Sequence, residues 1–426
     1  MTLSKSVRVL LGLLIGAGAG LMLADTDPQL AASIANAVAP IGKLWLNALQ
    51  MTIVPLVMSL LVIGVATASD GLASGRIARD AMTVFVAVLV GASIFAALLG
   101  PLLLSLLPRD PQLVETLRQA MDSPVVAAGV GVNLGDWFAT IVPTNAIAAA
   151  AQGAIVPLVV FTLFLAFALL QIAPARRNLA LEGFHTLADA MGVIVGWVLW
   201  AAPVGVFALI LPVSARAGVD ILSALGWYIL LLCAMYLAMT GLMLLLAVIA
   251  GGEPLRRFAG AILPAQVVAA STQSSLASLP AMVDSSNRLG YPTAVSSLVL
   301  PMAVSLFRIT SPVQYMGVAA FIAWTYGIDL PIEHLAIGAA LAVVISIGSV
   351  GLPGQASFMG TNLPVVQAMG LPIEPLGLLL AVDMIPDVFA TVGNVSADLA
   401  ATSVVAKRQP AGGGAELEEV IPEPMA

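Results

Sequence analysis

Apolar stretches about as long as a bilayer is thick recur from one end of this chain to the other. A spanning helix needs about 20 mostly apolar residues. Candidate spans lie near residues 7–24, 41–68, 78–107, 141–172, 189–213, 222–250, 293–325 and 373–405. Of the 426 residues, 60% are hydrophobic and 9% charged, where a soluble domain carries about 25% charged residues. Most side chains therefore face lipid or protein interior, and the expected class is an all-α integral membrane protein. Lys5 and Arg8 ahead of the apolar run Val9 to Ala24 could mimic a secretory signal. Many similar runs follow it, so it reads as the first span. Residues 109–137 are polar and read as an external loop; 409–426 read as a disordered cytoplasmic tail behind a single membrane domain, 1–408.

The same composition excludes several functions. A net charge of −7 leaves no basic footprint for nucleic acid. One cysteine, Cys233, cannot form an internal disulfide or a thiolate cluster and reads as an inert core residue. His185 and His334 are too far apart in sequence to suggest a metal site. No cofactor and no resident metal are expected.

Loop charges orient the chain. Basic residues collect at Lys5/Arg8, Arg76/Arg79, Arg176/Arg177, Arg256/Arg257 and Lys407/Arg408. The positive-inside rule places all five groups in the cytoplasm. That requires an even number of spans between groups. It also requires two interrupted apolar stretches, near 258–290 and 335–370, to enter and leave on one face. Eight spans with two re-entrant hairpins, in the inner (plasma) membrane with both termini cytoplasmic, satisfy every group.

The interrupted stretches carry Ser271-Thr272-Gln273-Ser274-Ser275 and Gly348-Ser349-Val350-Gly351-Leu352-Pro353-Gly354. Such runs break helical hydrogen bonding. Irregular backbone at membrane depth is tolerated where it is buried or lines a cavity, and a pair of broken segments is the sequence pointer to a transport site. Two kinked packing helices are the plainer alternative. The span 373–405 holds Asp383, Asp387, Asn394 and Asp398, spaced four, seven and four, so they share one helical face. Each buried charge costs about 2.5–3.5 kcal/mol on insertion scales. The acids thus need cationic partners: a substrate ammonium, metal ions, protons or an arginine. Arg308, mid-span in Leu306-Phe307-Arg308-Ile309-Thr310-Ser311, is such an arginine. It is expected to pair with Asp398 or Asp383.

These motifs, with VPTN at Val142–Asn145, APVGVFALI at Ala202–Ile210, SSLASLP in the first hairpin, GLPG in the second and Asn394-Val395-Ser396-Ala397-Asp398 in the last span, resemble the dicarboxylate/amino acid:cation symporter family. The resemblance covers about residues 7–407. It implies the glutamate-transporter-like elevator fold, a homotrimer. The scaffold would be mainly spans 1, 2, 4 and 5. The transport domain would be mainly spans 3 and 6, hairpin 256–290, span 293–325, hairpin 333–372 and span 373–406. By position, Asp387 resembles the residue that binds a substrate α-ammonium and Asn394 the one that binds its α-carboxylate. Ser274 and Ser275 match the first hairpin tip. Val350, Gly351, Pro353 and Gly354 match the tip that gates the site from outside. Ser311, Ala390 and Thr391 complete the expected substrate set. Asp383 and Asp398 match acids that serve or support sodium sites in the family.

Three departures set the expected function. Members that carry acidic substrates have an arginine in the last span, where this chain has Ala390. A side-chain carboxylate would lose its bidentate partner. The family's seventh-span motif Asn-Met-Asp-Gly-Thr is here Phe307-Arg308-Ile309-Thr310-Ser311. The third span has Leu89 and Ala92 at oxygen-ligand positions and keeps only Ser93. Hard cations need oxygen ligands. The expectation is a transporter of small neutral amino acids, not an enzyme, in which Arg308 replaces a bound sodium ion. A proton- or sodium-coupled symporter of amino acids or dicarboxylates is the alternative. An intramembrane aspartyl protease would need paired acids, but these acids lie mainly on one helix, and two hairpins suit alternating access better than a channel.

Overall fold

The computed structural model describes residues 5–73, 75–107, 142–152, 155–217, 220–348 and 354–409. Its helices are α1 (Lys5–Thr26), α2 (Pro28–Gln50), α3 (Ile53–Ala73), α4 (Arg76–Ser105), α5 (Ala146–Ala151), α6 (Ile155–Gln171), α7 (Pro174–Trp200), α8 (Ala202–Ala217) and α9 (Asp220–Ile249). They continue as α10 (Leu255–Thr272), α11 (Ser275–Leu289), α12 (Thr293–Leu306), α13 (Thr310–Tyr326), α14 (Ile332–Gly348), α15 (Gly354–Ala368), α16 (Leu376–Val382) and α17 (Met384–Arg408). No strand occurs among the described residues. The expected loop 109–137, the second hairpin tip with Val350, Gly351 and Pro353, and the tail from 410 onward lie outside them.

Several expected spans are built differently from a single rod. The stretch 41–68 is divided at Met51–Thr52 between α2 and α3, and α2 begins as early as Pro28. The stretch 189–213 straddles a turn at Ala201. Pro203 follows that turn and has no N–H to continue the ladder of α7. The stretch 141–172 starts with the short α5, capped by Asn145, whose side chain accepts from the N–H groups of Ile147 and Ala148. In 293–325 the helix stops at Leu306 and restarts at Thr310, so Arg308 sits in a break and not mid-helix. In 373–405 it is interrupted at Asp383. Pro386 three residues on cannot donate to Val382, which frees that turn. Among the described residues, five helical stretches are long and apolar enough to cross a bilayer alone: Arg76–Ser105, Pro174–Val198, Ser223–Ile249, Thr293–Tyr326 and Met384–Arg408. Shorter apolar helical stretches are Leu11–Thr26, Val54–Thr67, Pro157–Gln171, Ala202–Arg216 and Ile332–Ile347.

The chain folds as two compact units. The first takes Met1–Thr67, Val90–Met235 and Ser311–Asp387. In it α8 packs between α1 and α2, and α16 packs on α1, α8 and α15. Trp45 of α2 lies flat on Gly205 of α8 and donates its indole N–H to Val198 O at 3.0 Å. A Cβ at Gly205 would stand 2.2 Å from the ring, so this contact exists because that residue has no side chain. Helices α14 and α15 pack on each other as a hairpin.

The second unit takes Ala68–Leu89, Tyr236–Thr310 and Val388–Ala426. Here α10 and α11 form the first helical hairpin, and α11 packs on α12. Its turn is tight: Gln273 adopts the left-handed conformation at φ 52° as the cap of α10. Ser274 follows as the cap of α11. At one end of this unit Gln409 donates to Asp80 at 3.3 Å, Arg257 donates to Leu289 O at 2.8 Å, and Lys407 lies beside Gly252. Three of the five basic groups thus gather at one end of the unit.

Candidate functional site

The second unit holds a polar cluster around the break between α12 and α13. Helix 17 presents Asn394, 4% exposed, to Thr310. Its Oδ1 accepts the Thr310 N–H at 3.0 Å and the Thr310 hydroxyl at 2.9 Å. A backbone N–H can only donate, so the amide orientation is determined: Oδ1 serves the break and the Nδ2 donors remain for an anion. That suits the carboxylate role expected of Asn394. The Thr310 hydroxyl also lies 3.3 Å from Ala390 O. This approach depends on Gly393, whose Cβ, if present, would fall 2.8 Å from Thr310 Cγ2 and 3.1 Å from Thr240 Oγ1. Gly393→Ala should therefore cost about 1–3 kcal/mol of stability by overpacking and weaken solute binding, both readable by thermal unfolding with and without solute.

Ser274 spends its hydroxyl oxygen on the N–H of Ala277 at 3.2 Å. Its O–H hydrogen remains available to donate, the function wanted of a carboxylate-binding hydroxyl. Ser275 is half-buried at the start of α11. Gln266 of α10 donates to Ser396 of α17 at 2.9 Å, holding the hairpin arm to the last helix. Gln266 is a lone amide in an apolar run, the one sequence signal for this contact. Ala390 and Thr391 are buried, and Gly354 starts α15 in the first unit.

Asp398 is 1% exposed, and neither carboxylate oxygen has a hydrogen-bond partner among the described residues. The cation whose field reaches it is Arg308. Of the two partners expected for Arg308, the structure selects Asp398, as a charge nearby and not as a closed ion pair. On either side of Arg308, Phe307 and Ile309 are fully buried, at 1% and 0% exposure. Phe307 stacks on Phe85 of α4, centroids 4.7 Å apart and planes 12° from parallel. Leu89, one turn on from Phe85, is also fully buried. These positions carry carbon packed against carbon and offer no side-chain oxygen, whereas a hard cation needs oxygen ligands. Phe85 was not singled out from sequence, because a phenylalanine in an apolar span carries no signal of its own.

The first unit holds the remaining acids. Asp383, 3% exposed, accepts from Tyr228 OH at 3.2 Å and from Gln314 Nε2 at 3.1 and 3.0 Å to its two oxygens. Arg308 is not among the groups whose charge acts on it. Asp387 is half-buried in the first turn of α17 and acts electrostatically on Asp383. Ser311 is buried at the start of α13. The retained Ser93 of α4 gives its hydroxyl to Ala339 O at 2.7 Å. Cys233, expected in the core, is only half-buried.

A family model described as the sodium:dicarboxylate symporter family matches residues 6–408. The chain belongs to that family. It is therefore a membrane transporter with the glutamate-transporter-like fold and not an enzyme. Among similar proteins, the proton/glutamate-aspartate symporter of Escherichia coli (strain K12) is 29% identical over 383 residues, 88% of this chain and 86% of that protein. The proton/sodium-glutamate symport protein of Bacillus subtilis (strain 168) is 28% identical, over 94% of this chain and 92% of that protein. The C4-dicarboxylate transport protein of the same strain is 24% identical, over 95% and 93%.

Proposed function

We propose that this family member carries small neutral L-amino acids without sodium, by an elevator movement of a transport domain within a homotrimer. In this reading Asp387 receives the α-ammonium, and Asn394 Nδ2 with Ser274 receives the α-carboxylate. Ala390 leaves no cation for a second carboxylate. The observation that carries it is the carbon packing of Phe307 on Phe85, with Leu89 and Ile309 buried, beside a covalently attached cation at Arg308. Arginine stays protonated at any relevant pH, so the charge that an ion would import is always present. Without a binding free energy shared between sodium and solute, the sodium gradient has no hold on transport. The elevator, the trimer, the re-entrant course of the two hairpins and the cytoplasmic termini rest on the family likeness and the loop charges.

Relatives are named for glutamate, aspartate and C4-dicarboxylates, so the test must include these. The protein is reconstituted, and L-alanine, L-serine, L-aspartate, L-glutamate and succinate are compared in choline and in sodium buffer. L-Alanine or L-serine should be the strongest ligand, with affinity nearly equal in the two buffers. L-Aspartate as the strongest ligand defeats the substrate reading. A tenfold gain in sodium, about 1.4 kcal/mol of coupling, defeats sodium independence.

A further inference from the structure

The first unit offers Asp383 a different kind of company from that of Asp398. Its three hydrogen bonds come from two neutral side chains, Tyr228 of α9 and Gln314 of α13. A guanidinium or ammonium in that place would serve only the ionised carboxylate. A phenol and an amide are amphoteric. Rotated half a turn about its last bond, Gln314 presents Oε1 where Nε2 stood and accepts the proton of a carboxylic acid. The site can therefore satisfy either protonation state by turning one amide, with no shift of backbone.

Among the described residues, the groups that act on Asp383 are Asp387, Gln314 and Tyr228, none of them a fixed positive charge. Helix 9 contributes Tyr228, and Cys233 within electrostatic reach; the next turn contributes the carboxylate of Asp387. Of the helices packed on α16, α15 carries no ionisable residue. Helix 8 carries only Arg216, which is exposed and donates to Asn36 at 3.1 Å. Helix 1 carries Lys5, Arg8 and Asp25 near its two ends. Two carboxylates one turn apart in a low-dielectric interior repel unless one is neutralised. When a solute ammonium occupies Asp387, the remaining acid needs a cation, and none acts on it among the described residues.

We propose that Asp383, cradled by Gln314 and Tyr228, is the proton-binding site that links solute movement to protons. The step balances simply. The carboxylate takes one proton from the aqueous phase on one side, Gln314 turns its Oε1 to accept the new O–H, and the proton leaves to the other side after the solute does. No other bond changes. The two buried acids are then neutralised in different ways. Asp398 is offset by the permanent charge of Arg308, and Asp383 by a proton that comes and goes. The inference rests on the sodium-independent reading of this chain.

The first test needs no solute. Infrared difference spectra of the full-length protein in liposomes, recorded on a step from alkaline to acidic buffer, should contain a protonated-carboxyl C=O band. Asp383→Asn should remove it. Asp398→Asn should leave it, and Gln314→Leu should shift it by deleting the acceptor. In the second test, L-alanine is supplied to proteoliposomes loaded with a pH-sensitive dye. Wild type should move protons with L-alanine, whereas Asp383→Asn should lose proton movement. A band that survives Asp383→Asn, or unchanged proton movement in that variant, overturns the proposal. If wild type does not carry L-alanine, the substrate reading fails, while the infrared bands still decide the proton site.

Discussion

Asp387→Asn is expected to abolish binding of small neutral L-amino acids. Asp387 lies in the first turn of α17, where the partial positive charge of the helix start favours an anion. The substitution keeps the size and most hydrogen-bonding capacity of the side chain and removes only its charge. A solute ammonium would then be held in a partly dehydrated site with no counter-charge. Breaking one partner of a buried charge pair costs about 3–5 kcal/mol, and each 1.4 kcal/mol is about tenfold in affinity. The expected loss is at least about two orders of magnitude for L-alanine, measured by titration calorimetry on folded protein. A variant that binds L-alanine as wild type does would mean that the solute is not held by its amino group.

Arg308→Met should damage both stability and binding. It leaves Asp398, 1% exposed and without a hydrogen-bond partner among the described residues, with no cation in reach. The expected cost is about 3 kcal/mol or more, seen as a lower midpoint of thermal unfolding and a loss of L-alanine affinity. Sodium should restore binding at most in part, since Phe307 and Ile309 still fill the places of oxygen ligands. The double variant Arg308→Met/Asp398→Asn should recover stability, because both charges then disappear together. If the single variant is as stable as wild type, Arg308 is not the counter-charge of Asp398. If sodium restores full affinity, a sodium site survives elsewhere, and the carbon packing around Phe307 does not exclude the ion.

Much of this protein is legible in its amino-acid sequence. Continuous apolar runs of about 20 residues suit the spanning helix, which satisfies its backbone within its own segment, and not the shorter, alternating strands of a barrel, so the all-helical membrane class follows from hydropathy alone. The one-faced stripe of Asp387, Ala390, Asn394 and Asp398 follows from the period of the helix. Ala390 and the Phe307-Arg308-Ile309 run are departures visible in the letters.

Other features depend on contacts between residues far apart in the chain. Hydropathy treats Phe85 as any apolar residue; only the fold lays it on Phe307. Sequence allows Arg308 either Asp383 or Asp398. The fold places it within reach of Asp398 and gives Asp383 to Tyr228 and Gln314, residues 155 and 69 positions away. The breaks at Phe307–Ile309 and at Asp383 are likewise hidden, because an apolar run reads the same whether its helix is continuous or interrupted. Periodicity encodes which face a residue occupies within its own helix. Which distant side chain meets that face is set by packing, and that choice here gives Asp398 a nearby cation and Asp383 two neutral donors.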